Sequence, residues 1–323
     1  MQFFETPENR LPDGAELQRI KTHDGYVLRG LVAPKRPDVA LRGTVVVLNG
    51  RGEFLERYFE TLRDLQARGF HVATLDWRGQ GGSERMLRDR MRGYVRSYRN
   101  YDEDLRALME GVVLKNCPGP YYVLAHSTGG HVMLRNVLHK GWFSKAIATA
   151  PLLGLNYGNW PPAFANVISN ILMALGLGST YVPGYKNGPF LLEKFEGNIL
   201  TSEERRWARD LRTLYEHPEL GLGGPTQAWL NATIRSLRQL HGSSFRNGLM
   251  CPVMIVLAGR EKVVDNKAAH RFMAQVPGVA HVTLHSALHE ILMERDVVRA
   301  EFFAVLDSYF VQEPQTGSTK INP

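Results

Sequence analysis

The chain has 323 residues, 44% of them hydrophobic and 22% charged, the balance of a soluble globular protein with material for a large core. Its formal charge of +7 favours anionic surroundings. The arginines gathered at Arg85, Arg88, Arg90, Arg92, Arg96, Arg99 and Arg106 lie on no recognised nucleic-acid-binding module, so no nucleic acid is expected as partner; the run reads as a solvated loop or as an attraction for anionic lipid headgroups.

Residues 15–22 and 26–33, joined by the His23-Asp24-Gly25 turn, predict an antiparallel hairpin at a sheet edge. Thr44-Val45-Val46-Val47-Leu48 is apolar without alternation, which is the pattern of a strand covered on both faces. It ends in Asn49-Gly50-Arg51-Gly52-Glu53, and an amphipathic helix follows over 58–67. The glycines lack the lysine and serine or threonine of a phosphate-binding loop. A strand at 70–75 runs into the glycine-rich loop 76–83, and apolar positions return at helical spacing over 98–115, with Asp102, Glu103 and Asp104 near the helix start, where acids suit the helix end.

Tyr121 to His126 reads as a buried strand and 130–139 as a helix, with Ser127-Thr128-Gly129-Gly130 at the bend between them. A serine flanked by small residues on a strand-to-helix turn is what a nucleophile elbow requires, although the usual first glycine is here Ala125. Another strand at 145–150 completes an alternation that calls for a largely parallel sheet with helices on both faces. From Leu152 to Asn247 no strand is convincing, and helices at 162–175, 202–215 and 226–240 read as an inserted cap. Strands at 253–258 and 280–284 and helices at 267–275 and 288–309, the last opened by Glu290, restore the alternation. The division is thus a core over 1–151 and 248–311, a helical cap over 152–247, and a disordered tail over 312–323.

Cys117 and Cys251 each precede a proline and an apolar run and read as small core residues, and the histidines have no ligand spacing; neither metal nor cofactor is expected. The opening residues are not a signal peptide, and the stretch 163–177 is too short and too polar to span a bilayer. The expected location is cytoplasmic, peripheral at the inner face of the membrane. Oligomeric state leaves no mark.

In an open parallel sheet, ligands bind where loops leave the carboxyl ends of strands. Ser127, an acid at Glu261 or Asp265, and a histidine at His285 or His289 follow three such ends in the order serine, acid, histidine. His126 is read from strand alternation as pointing away from Ser127, a packed residue or one backing the site. Together with the 49–53 and 76–83 loops, Tyr101 to Leu105, 261–266 and Ala287-Leu288-His289-Glu290, this chain resembles the α/β-hydrolase family of monoacylglycerol lipases and bacterial lysophospholipases, also grouped with serine aminopeptidases. The resemblance covers nearly everything outside the insertion. It departs at Asn49, where the family usually has histidine, and at Glu261, where many members have aspartate.

What the resemblance implies is an α/β-hydrolase fold: a mostly parallel eight-stranded sheet with helices on both faces and a helical cap after the sixth strand. It implies Ser127 as nucleophile, His289 as general base and Glu261 as acid, with Asp265 the alternative, and the backbone N–H groups of Arg51 and Thr128 as oxyanion donors. The apolar residues Trp160, Phe164, Val167, Ile168, Ile171, Leu172, Met173, Leu175 and Leu177 suggest an acyl tunnel or lipid-facing surface. The expected substrate is a single-acyl-chain lipid ester, a lysophospholipid or monoacylglycerol. A broad carboxylesterase, a small-substrate serine peptidase and a non-catalytic acyl-ligand binding protein are the alternatives.

Overall fold

The computed structural model of the protein describes residues 1–138, 140–156, 162–185, 187–189, 194–242 and 249–310. β1 (Glu16–Lys21) and β2 (Val27–Ala33) form the edge hairpin, and β2 runs antiparallel to β4 (Phe70–Leu75). The remaining strands, β3 (Gly43–Leu48), β5 (Tyr121–His126), β6 (Lys145–Thr149), β7 (Val253–Ala258) and β8 (Val279–Leu284), pair in parallel with their neighbours. The sheet order is β1-β2-β4-β3-β5-β6-β7-β8.

The unbroken apolar run of β3 has its cause in this layering. Val46 and Leu48 belong to the core on one face, Val45 and Val47 to the core on the other, and all four are fully buried. The second face is closed by α1 (Phe59–Gln66), through Phe59, Leu62 and Leu65, and by α9 (Asp296–Tyr309), through Phe302, Phe303 and Leu306. The first face is closed by α2 (Tyr98–Leu108), α4 (Thr128–Val137) and α8 (Asn266–Gln275). α2 continues through a π turn at Met109–Val113 into the short α3 (Leu114–Asn116).

After β6 the chain leaves the sheet for the insertion, which contains α5 (Pro162–Ala174), α6 (Glu204–Glu216) and α7 (Gln227–Leu240). Its two ends are held differently. α6 is clamped by ions: Arg206 meets Glu60 at 2.6 Å and Asp296 at 2.6 Å, and Asp210 meets Arg57 at 2.8 Å. α7 docks through Trp229, Ala232 and Leu240 on the first core face, and its Ser236 hydroxyl lies 2.7 Å from His131 Nε2. α5 packs on α7, where Asn231 donates to Asn170 at 2.7 Å, and turns Val167 (52% exposed), Ile171 (52%) and Leu175 (67%) outward.

Three expectations change. The final helix starts at Asp296, not Leu288; the apolar residues ahead of it form a 3₁₀ turn, Ile291–Met293, and Glu290 is buried on Arg57 instead of opening a helix. Asp102, Glu103 and Asp104 are ion-pair partners of Arg135, Arg106 and Arg78, and none lies in the first turn of α2. The arginine-rich loop is stitched to the insertion: Arg85 donates to the carbonyls of Glu219 and Gly221, Arg92 to that of Ser179, and Gly93 bridges Pro225. Trp160 and the 312–323 segment lie outside the described residues.

Candidate active site

Ser127 stands between β5 and α4 with φ +49° and ψ −113°, a conformation outside the comfortable regions for a residue with a Cβ. The turn is over-determined by backbone bonds: Ser127 N–H donates to Thr149 O (3.0 Å), and its carbonyl accepts from His131 (3.1 Å) and Leu152 (3.0 Å). Gly129 explains the need for a small residue after the serine. A Cβ there would lie 2.4 Å from the Leu48 carbonyl oxygen and 2.6 Å from that of Asn49. Ala125 causes no conflict, because it lies inside β5, paired with Leu48, and not in the turn.

The loop after β8 delivers His289 and the loop after β7 delivers Glu261, and both meet Ser127. Glu261 Oε2 is 2.8 Å from His289 Nδ1, and His289 Nε2 is 3.1 Å from the Ser127 hydroxyl. The other oxygen of Glu261 accepts from the N–H groups of Val263 (2.7 Å) and Val264 (3.1 Å). Those donors and His289 overcome the effect of burial and hold the carboxyl below its ordinary value. An ionised Glu261 requires the hydrogen on Nδ1, which leaves the Nε2 lone pair to accept from the serine. Burial works to lower the pKa of His289, but the Glu261 hydrogen bond and charge outweigh it, so the net shift is upward.

The other candidates lie elsewhere. Asp265 caps α8, accepting from Lys267 N–H at 2.8 Å, and faces Arg271 at 3.3 Å. His285 is exposed. The ring of His126 is buried, with Nδ1 on Thr149 and the ring 4.9 Å from that of His289, so it packs directly behind the site. Burial and the neighbouring imidazole push its pKa down to about 3, so it stays neutral.

The backbone N–H groups of Arg51 and Thr128 meet no acceptor among the described residues. The loop that carries Arg51 is held from both sides. The Glu53 carboxylate accepts from Gly50 N–H and from Tyr58 Oη (2.7 Å), and Gln80 Nε2 donates to the carbonyls of Gly50 (2.8 Å) and Glu53 (3.2 Å). Asn49, fully buried, donates to Leu75 O at 3.0 Å and accepts from Trp77 Nε1 through its own carbonyl at 2.9 Å, which ties the ends of β3 and β4.

Sequence reasoning missed the role of Arg57. Its guanidinium reaches Glu53 of this loop (3.2 Å), Glu290 beside His289 (2.6 Å) and Asp210 of α6 (2.8 Å), all buried. The local signal was Glu53 four residues ahead of Arg57; the other two partners are remote in sequence. Arg57→Met would remove the shared cation of three buried carboxylates, leaving Asp210 with Arg209 (2.9 Å) and Glu53 with Tyr58 Oη (2.7 Å), and is expected to lower the unfolding free energy by roughly 3 kcal/mol, measured by urea denaturation.

The sheet order, the strained serine turn and the insertion after β6 define an α/β-hydrolase of the serine-hydrolase type. The chain belongs to the family described as serine aminopeptidase S33, whose model matches residues 40–296. It is 32% identical over 279 residues to lysophospholipase L2 of Escherichia coli K12, covering 82% of this chain and 79% of that one. A probable lysophospholipase L2 of Haemophilus influenzae is 29% identical over 267 residues, 82% of each chain. Among solved structures, a soluble variant of monoglyceride lipase from Saccharomyces cerevisiae superposes with a TM-score of 0.71 over 96% of this chain and 98% of that one, at 19% identity.

Proposed function

We propose that this protein hydrolyses the carboxylic ester of a single-acyl-chain lipid, a lysophospholipid or monoacylglycerol, through an acyl-enzyme intermediate. The observation that carries the reading is the continuous hydrogen-bonded line Ser127, His289, Glu261 at 3.1 and 2.8 Å, beneath a partly apolar insertion. Ser127 attacks the ester carbonyl as His289 takes its proton, and Glu261 holds the imidazole in the required tautomer. The N–H groups of Arg51 and Thr128 receive the oxyanion. His289 then protonates the leaving alcohol and activates the water that releases the fatty acid. Support for a lipid comes from a cavity of about 340 Å³ within the insertion, lined by Leu155, Phe164, Ile168, Val182, Trp229 and Leu230 among others, and from the two lysophospholipase relatives.

The test is a panel of lysophospholipids, monoacylglycerols, short esters and aminoacyl arylamides with products identified. Long-chain single-acyl lipids are expected to give the highest kcat/KM, since each buried methylene contributes about 0.8 kcal/mol. Faster turnover of short esters or arylamides would replace the reading by a broad esterase or peptidase.

We also infer a cytoplasmic, peripheral placement in which the outward apolar face of α5 meets an anionic membrane surface. No helix among the described residues is long and apolar enough to cross a membrane. The double change Ile171→Asp and Leu175→Asp is expected to weaken co-sedimentation with phosphatidylglycerol vesicles by more than about tenfold, while hydrolysis of a monomeric short-chain ester holds. Undiminished vesicle binding would remove this face from consideration.

A further inference from the structure

Arg29, Arg57 and Arg78 are buried and each is neutralised by carboxylates at 2.5 to 3.2 Å. Arg51 is treated differently. Its Nη2 donates to the Gly223 carbonyl at 2.6 Å, its guanidinium carbon lies 5.3 Å from the centre of the Trp229 ring, and its Nε is shut off from solvent with no acceptor among the described residues. No ion pair forms on it among the described residues. Gly93 presses on it from another side, where a Cβ would come within 2.2 Å of Nη2.

A guanidinium keeps its proton at neutral pH; Arg51 as a whole is half-buried, but its Nε is closed to water with no acceptor among the described residues, and such a donor is costly unless a ligand supplies one. The position of this cation matters. Arg51 follows the carboxyl end of β3, whose Leu48 pairs with Ala125 two residues before Ser127. Its own N–H is the proposed oxyanion donor. A guanidinium lies beyond its own backbone N–H by the length of the arginine stem, a span comparable with the glycerol that separates the ester of a lysophospholipid from its phosphate. Trp229, on which the guanidinium rests, also lines the cavity assigned to the acyl lipid.

We propose that the Arg51 guanidinium anchors the headgroup phosphate, so that the site selects lysophospholipid over neutral monoacylglycerol. Planar two-pronged donation to phosphate oxygens is what guanidinium offers and a lysine does not. The inference rests on the ester-hydrolase reading above and narrows its substrate class.

The experiment compares kcat/KM for a lysophosphatidylglycerol and a monoacylglycerol of the same acyl chain, in matched mixed micelles, for wild type, Arg51→Met and Arg51→Lys. The lysophospholipid-to-monoacylglycerol ratio cancels any loss common to both substrates. It is expected to fall at least about tenfold in Arg51→Met, chiefly through KM, and by less in Arg51→Lys. A ratio unchanged in both variants overturns the proposal. Wild type active only on monoacylglycerol overturns it while leaving the esterase reading intact; wild type inactive on both lipids defeats both. Should Arg51→Met fail to fold, wild type decides: glycerol 3-phosphate is expected to inhibit hydrolysis of a neutral short-chain ester competitively, and glycerol is not. No inhibition would overturn the assignment, and equal inhibition by inorganic phosphate would overturn it by marking a general anion site.

Discussion

Ser127→Ala is expected to abolish covalent labelling by a fluorophosphonate and to lower ester turnover by roughly 10⁶-fold, as removal of a serine nucleophile does where the rest of the site stays intact. The fold should survive. The strained backbone at φ +49° is held by Thr149, His131 and Leu152 through main-chain groups that the substitution leaves in place. Alanine carries the same Cβ into the same conformation, so the strain is neither relieved nor increased. The melting temperature should therefore stay within about 2 °C of wild type. Labelling that persists in the alanine variant would falsify the assignment of the nucleophile. Folded wild type that fails to react would favour a silent acyl-binding protein.

Much of this architecture was legible because parallel strands buried on both faces have a plain signature. β3 is an example: its uninterrupted apolar run has no other use than to feed two cores. The candidate site was legible because a parallel sheet collects the loops at its carboxyl ends on one edge, so Ser127, an acid at Glu261 or Asp265 and a histidine at His285 or His289 follow from strand order without any distance. The choice between Glu261 and Asp265 was not. It depends on where α8 begins, and since the helix starts at Asn266, Asp265 becomes its cap and Glu261 is left free to turn toward His289.

Contacts made across the fold were beyond reach for a different reason. Arg57 meets Asp210 and Glu290 at separations of 153 and 233 residues, and nothing local distinguishes a clamp from a surface arginine. The apolar face of α5 shows the same limit, because the sequence left it between an acyl tunnel and a lipid-facing surface. Residues 167, 171 and 175 fall at helical spacing; only the packing decides between the two, with Asn170 on the side that meets α7 and the apolar residues turned outward. The same limit applies to Ile291–Met293, whose apolar character reads as the opening of a helix that starts only at Asp296.

Glu261→Gln is expected to reduce kcat by roughly 10³- to 10⁴-fold, because the amide no longer dictates that Nδ1 carries the proton and no longer balances the imidazolium. Asp265→Asn is expected to stay within about threefold of wild type. Asparagine caps a helix as well as aspartate does, so the start of α8 should hold. The pH profile separates the two acids independently of rate. His289 must be neutral to accept the serine proton, so activity is lost as pH falls through its pKa. That pKa lies above the ordinary 6.5, since the Glu261 hydrogen bond and charge outweigh burial. The acid limb of kcat/KM in wild type should accordingly sit above pH 6.5. With the carboxylate gone, burial dominates and the limb should move to lower pH in Glu261→Gln, while Asp265→Asn leaves it in place. A larger rate loss in Asp265→Asn, or a limb that moves there and not in Glu261→Gln, would transfer the role to Asp265.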